Sequence, residues 1–334
     1  MKAAQIQEKG GDFVLVDMDK PSPKENEILI KVEACGICHS DDLLKQGLFP
    51  GIEYPRVPGH EVVGIVEEVG KNVSKWKVGQ RVGVGWHGGH CFECTPCRKG
   101  DFVNCENAKV CGISYDGGYA EYMCAPNEAI AAIPEELSSA AAAPLLCAGI
   151  TVYNALRNSG IRAGDVVAVQ GIGGLGHLAV QYASKMGMRT VAISTNDSKK
   201  ELAKELGAHH YIDISKQDPA EELQKLGGAN LILATAPHSD AITKVVNGLG
   251  IDGKLLMVAA TGEPIEVSPL QLLMGRKSVA GWPSGTAIDS EDTLNFSVLS
   301  GTEPMIEEFP LKDVAKAYDK MINNKARFRV VLRP

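Results

Sequence analysis

Asp165-Val166-Val167-Ala168-Val169-Gln170-Gly171-Ile172-Gly173-Gly174-Leu175-Gly176-His177-Leu178 is the stretch on which the fold turns. The β-branched run 166–170 reads as a strand. It passes directly into glycines spaced G-x-G-x-x-G at 171, 173 and 176. Leu175, Leu178, Ala179, Tyr182, Ala183 and Met186 then recur at helical spacing. Such glycines permit a tight turn and let the backbone approach a pyrophosphate, and the helix N-terminus adds unpaired N–H groups and partial positive charge. The bland alternative is a glycine-rich turn without a ligand; the strand–turn–helix context favours Gly171, Gly173, Gly174, Leu175 and Gly176 as a nucleotide loop.

Downstream, strand runs at 190–193, 210–213, 230–234 and 254–259 alternate with helical patterns, which predicts a parallel sheet with helices on both faces over residues 151–283. Upstream, short runs such as 28–33 and 62–69 are broken by Gly and Pro, so 1–150 reads as a β-rich, folded-over body. Residues 284–334 lose the alternation and are expected to return to that first domain.

The end of the second strand selects the cofactor. An acid about 20 residues past the glycines would bind the ribose 2′-hydroxyl of NAD. Here Ser194, Thr195 and Asn196 stand there, followed by Lys199 and Lys200, while Asp197 lies three residues late. Hydroxyl donors and lysines suit a 2′-phosphate, so NADP is expected ahead of NAD.

With 334 residues the chain has room for about two domains. Against 34 Lys+Arg stand 41 Asp+Glu, a net charge of −7 that gives no reason to expect nucleic acid or an anionic membrane as partner. The longest apolar run, 140–150, is well short of the ~20 residues that cross a bilayer. The first residues carry no apolar stretch of signal-peptide length, so a cytosolic protein is expected.

Nine cysteines cannot all pair within the chain, and their clustering points to metal instead. Cys91, Cys94, Cys97 and Cys105 are spaced C-x2-C-x2-C-x7-C. Four thiolates suit a closed tetrahedral zinc site; the spacing also fits an iron–sulfur run. His87 and His90 nearby read as part of a glycine-rich turn. Cys38 in Cys35-Gly36-Ile37-Cys38-His39-Ser40-Asp41, His60-Glu61 after Pro58-Gly59, and Cys147 in an apolar run each have a bland reading, and spacing does not join them.

The motif Gly59-His60-Glu61 with Gly64, Gly70 and Val73, then the four-cysteine run, then the glycine turn, resembles the zinc-dependent alcohol dehydrogenases of the medium-chain dehydrogenase/reductase superfamily over essentially the whole chain. The resemblance implies an α/β architecture: a Rossmann doubly wound parallel sheet beside a β-rich GroES-like catalytic domain with a structural zinc lobe. It implies two zinc ions per chain. One is structural, on the four cysteines. The other is catalytic, on Cys38, His60 and Cys147, with Glu61 able to enter the coordination shell. Asp41 then hydrogen-bonds the ligand histidine, Ser40 passes the alcohol's proton, and His39 and Arg329 contact the cofactor pyrophosphate. Many members end the proton relay with a histidine where this chain has Leu43. Phe49 and Trp86 match positions lining the substrate cleft, and Trp282 stands near the nicotinamide.

Such walls favour apolar primary alcohols or aldehydes, with aromatic ones among them, and the Ser194-Thr195-Asn196 run also resembles the NADP-using cinnamyl-type branch. The short stretch after Cys105 resembles microbial tetrameric members, so a homo-oligomer, tetramer or dimer, is expected. Alternatives are an NAD-dependent secondary-alcohol or polyol dehydrogenase, or a non-catalytic nucleotide-binding relative. Cys147 and the cysteine lobe speak against the first, and the retained Cys38, His60 and Cys147 against the second.

Overall fold

The computed structural model describes residues 1–334. It divides into two compact units, Met1–Ile150 with Gly285–Pro334, and Thr151–Ser284.

The second unit is built on a six-stranded sheet. From edge to edge its strands are 210–213, 189–194, 166–170, 229–234, 249–257 and 278–281, all parallel. The winding therefore reverses between 166–170 and 229–234, and in sheets of this kind ligands bind outside the carboxyl ends of the strands at that reversal. Helices cover both faces, so the central strands carry almost unbroken apolar runs: Val167, Ala168, Val169, Leu231, Ile232 and Leu233 are fully buried. Gly171 adopts φ +93°, a conformation that favours glycine. A Cβ on Gly176 would stand 1.9 Å from the Gly171 carbonyl oxygen, so only glycine lets helix Gly176–Lys185 start this close to the turn.

The first unit carries a seven-stranded sheet in the order 306–310, 329–333, 27–37, 62–69, 81–84, 130–132, with 122–126 also paired on 27–37. Register decides what this sheet does. Strand 27–37 pairs antiparallel with 62–69, Cys35 opposite Val62. Strand 62–69 pairs antiparallel with 81–84, Val62 opposite Val84. Strand 329–333 joins the other side, Val330 opposite Ile37. The end of one strand, the start of two and the end of a fourth thus meet at one edge. Cys38, His60-Glu61, Trp86 and Arg329 all leave the sheet there.

Residues 139–158 form one helical run, longer than the apolar stretch visible in sequence. Ser138 caps its start, accepting from the Ala141 N–H at 3.1 Å. The run has the length and hydropathy of a bilayer span, but 94% of that window is buried in the protein, as in a core helix. Pro144 lacks an N–H and crowds the preceding turn, and directly after it Leu145–Gly149 widens into a π-helical turn. Cys147 sits in the middle of that turn.

Candidate active site

Cys38, His60, Glu61 and Cys147 bring one potential ligand atom each to within 4.8 Å of one another, all from buried residues. Two thiolates on one tetrahedral zinc, each ~2.3 Å from it, stand about 3.8 Å apart. Here the Cys38 and Cys147 Sγ atoms are 3.7 Å apart. His60 Nε2 and Glu61 Oε2 are buried and have no hydrogen-bond partner. Buried polar atoms left unpaired are costly, and a soft cation among two sulfurs and a ring nitrogen resolves that cost. The donor set fits zinc with a position to spare.

The surrounding charges are arranged for this. The Asp41 carboxylate accepts from the Cys38 N–H at 2.8 Å and the Tyr119 hydroxyl at 2.8 Å, and lies 3.1 Å from His60 Nδ1. His60 is thereby turned with Nε2 toward the sulfurs. Burial opposes a charged imidazole, and Asp41 more than offsets it, holding His60 well above its ordinary value. The hydrogen bond between the two sulfurs, assisted by His60 against the opposing effect of burial, pulls Cys38 well below the usual thiol range; the same bond, with burial, pushes Cys147 well above it. Burial pushes Glu61 up to about 7 even though the Arg329 guanidinium lies against it. A Cβ on Gly36 would fall 1.8 Å from Glu61 Oε2, so Gly36 makes room for that carboxylate.

Arg329 is 5% exposed and donates to Glu61 Oε1. His39 is exposed at the same edge, and Ser40 begins helix Asp41–Lys45 with its hydroxyl making no capping bond. The Trp86 ring stands edge-on to His60 at 4.9 Å and to Phe49 at 5.9 Å, so these two aromatics form a wall beside the cluster.

Cys91, Cys94, Cys97 and Cys105 form a second group within the same 4.8 Å limit. Their Sγ separations of 3.8 Å (Cys94–Cys105) and 3.6 Å (Cys105–Cys91) again match one tetrahedral ion. A [4Fe–4S] cluster, which gives each cysteine its own iron, would spread them further. The His87–His90 segment is not simply a turn. Strand His87–Gly89 pairs with Lys109–Val110, and His87 Nε2 lies 2.9 Å from His90 Nδ1.

In the second unit nothing lies within 4 Å of where a Cβ on Gly173 would be, a cradle open to a ligand. Lys199 reaches back from the second strand's loop to the Ile172 carbonyl at 2.7 Å, so it lies over the glycine turn. Thr195 and Asn196 are exposed and Ser194 is nearly buried at the strand end. Trp282 follows strand Ser278–Gly281 with its indole N–H buried and unpaired. Sequence reading missed Tyr119, Gly36 and Lys216, whose amine lies 2.6 Å from Asp197 Oδ2. None falls in a ligand-like spacing, and only the fold brings them to their partners.

Residues 24–135 match the family model for the alcohol dehydrogenase GroES-like domain, and residues 174–298 that for zinc-binding dehydrogenases. The chain is 49% identical to the alcohol dehydrogenase patD of Penicillium expansum, over 99% of this chain and 97% of that one. It is 38% identical to an alcohol dehydrogenase of Geobacillus stearothermophilus, over 100% and 99%. Among solved structures, a cinnamyl alcohol dehydrogenase from Sorghum bicolor superposes with TM-score 0.90 at 29% identity, covering 99% of this chain and 97% of that one. The CAD from Helicobacter pylori complexed with NADP(H) gives 0.89 at 29% over the same shares. The chain belongs to the zinc-dependent alcohol dehydrogenases of the medium-chain dehydrogenase/reductase superfamily and is an NAD(P)-dependent alcohol dehydrogenase.

Proposed function

We propose that this dehydrogenase interconverts primary, aromatic alcohols and aldehydes with NADP(H), using two zinc ions per chain, one catalytic at Cys38, His60 and Cys147 and one structural at the four-cysteine lobe. The observation that carries the catalytic assignment is the convergence of two sulfurs 3.7 Å apart with an unpartnered His60 Nε2. When bound there, zinc supplies a Lewis acid for an alcohol or carbonyl oxygen. The chain does the rest. Asp41 fixes the ring of His60, and Arg329 holds Glu61 beside the ligands. The Ser40 hydroxyl, free of any capping duty, takes the alcohol's proton at Oγ and passes it to water, because Leu43 offers no imidazole. Phe49 and Trp86 exclude water and give an aromatic substrate a ring to lie against.

The cofactor reading rests on Ser194, Thr195, Asn196 and Lys199, with His39 as the contact to the pyrophosphate. Two further features support NADP. Asp197, the nearest acid to that loop, is engaged by Lys216 at 2.6 Å, so its charge is countered where a phosphate would come. The sequence is also similar to the NADP(H)-complexed relative. We assign Trp282 to the nicotinamide side. We also infer a homo-oligomer, tetramer or dimer. Exposed Ile251, Leu270, Leu273 and Met274, together with edge strand 278–281, whose outer side has no partner strand, support this, as apolar patches and a free edge favour association. Cytosolic residence fits nine unpaired thiols.

The test is a panel of aliphatic and aromatic aldehydes assayed with NADPH and NADH, together with Ser40→Ala. We expect the highest kcat/KM for an aromatic aldehyde with NADPH, and loss of most activity with full zinc content in Ser40→Ala. A preference for NADH, or an unchanged kcat in the variant, refutes the corresponding part.

A further inference from the structure

Tyr119 is among the largest fully buried side chains of the protein. It follows Gly117-Gly118, and this segment is sewn to the one carrying His60: Gly118 N–H donates to the Gly59 carbonyl at 3.1 Å and Tyr119 N–H to the Pro58 carbonyl at 3.0 Å. Gly59 has φ +103°, and a Cβ there would come within 2.5 Å of the Tyr119 ring. The hydroxyl is therefore aimed by backbone and packing together, and it ends on Asp41 Oδ2.

That oxygen has two donors, the Tyr119 hydroxyl and the Cys38 N–H, each at 2.8 Å. The other oxygen, Oδ1, faces His60 Nδ1 at 3.1 Å. A single carboxylate thus spans two of the ligand residues, and Tyr119 supplies the side-chain bond that keeps its two oxygens in those separate tasks. We propose that Tyr119 is a positioning residue for the catalytic metal: through Asp41 it sets the orientation of His60 and Cys38, and so the affinity of this site for zinc, without touching the metal or the substrate. Without its hydroxyl the carboxylate keeps one donor on Oδ2 and can rotate away from His60. Losses of this kind typically cost 10- to 100-fold in metal affinity.

The inference rests on the reading of Cys38, His60 and Cys147 as zinc ligands. The four-cysteine lobe makes an internal control, because Tyr119 has no bond to it. Zinc transfer to a chromogenic chelator is followed to equilibrium for wild type and Tyr119→Phe, which keeps the ring. We expect two zinc ions in wild type, and in the variant one ion held 10- to 100-fold more weakly with the other unchanged. Equal affinities at both sites in the two proteins overturn the inference alone. A single ion in wild type, at the lobe, overturns the underlying reading and the inference with it. A double-mutant cycle with Asp41→Asn guards against a general packing defect. If Tyr119 works through Asp41, adding Tyr119→Phe to Asp41→Asn costs nothing more; additive losses, or equal weakening of both ions, refute it.

Discussion

The two clusters of potential metal ligands in the first unit are built in opposite ways. Cys91, Cys94, Cys97 and Cys105 lie within one loop, and its own backbone serves the sulfurs: Cys94 N–H reaches Cys91 Sγ at 3.4 Å, Cys91 N–H reaches Cys105 Sγ at 3.4 Å, and Asn107 N–H reaches it at 3.3 Å. Four thiolates fill a tetrahedron and leave nothing over. Cys38, His60 and Cys147 come from two strand ends and a π-helical turn, sit almost wholly out of water, and leave His60 Nε2 and Glu61 Oε2 unpaired. On the proposed reading, four thiolates close the first site, while three ligands leave the second one position for a substrate oxygen.

The sharpest way to break this contrast is to remove one ligand from each. Cys147→Ala should lower kcat/KM by about a thousandfold or more, ~4 kcal/mol of transition-state stabilisation, and leave one zinc by metal analysis. A variant that keeps substantial activity abolishes the distinction. Cys97→Ala should do the reverse: lobe zinc is lost, the unfolding temperature drops, and the catalytic ion stays, as read by calorimetry and zinc content.

Acid should also weaken the lobe's surroundings first. His87 is held down to about 4 by burial and then by His90, with Asp289 pulling the other way. An unfolded imidazole takes its proton near the ordinary 6.5, so between those values the unfolded chain binds more protons and stability falls as pH falls. The stability is fully present above 6.5 and lost on the way to about 4, with an upper limit of ~3 kcal/mol. His90, itself lowered by burial and facing Glu128, adds in the same direction. His87→Gln should flatten this limb in urea titrations at pH 7, 6 and 5; an unchanged slope removes His87 as its source.

The smallest effect tests the nucleotide unit. Lys199→Met should raise KM for NADPH about tenfold, ~1.4 kcal/mol, with kcat and KM for NADH little changed. Lys216→Met, which uncovers Asp197, should shift the ratio in the same sense by less. Equal shifts with both cofactors would mean that these lysines do not read the 2′-phosphate.

The same contrast explains what could be read from the sequence. The strand, glycines and helix of 166–185, and the cysteines of 91–105, are local devices whose spacing is their geometry. The open cluster is a product of register: Cys35 opposite Val62 puts residues 38 and 60 side by side, and Pro144 with the π turn aims Cys147. No spacing encodes that, so only the family resemblance joined those residues beforehand. The Arg329–Glu61 pair is a product of register too, since Val330 opposite Ile37 delivers the guanidinium to that carboxylate. Tyr119 and Gly36 were invisible because their roles are a hydrogen bond and a void, each with a partner far along the chain.

That late-arriving strand carries a consequence for biogenesis. The cysteine loop is complete once residue 105 has left the ribosome, so it can capture an ion while synthesis continues. The ligands of the buried cluster are also made before the nucleotide unit, but the counter-charge to Glu61 comes only when that unit is complete and strand 329–333 slots in beside 27–37. On the proposed two-ion reading, the lobe's ligands are therefore all available well before the charge environment of the open cluster is complete.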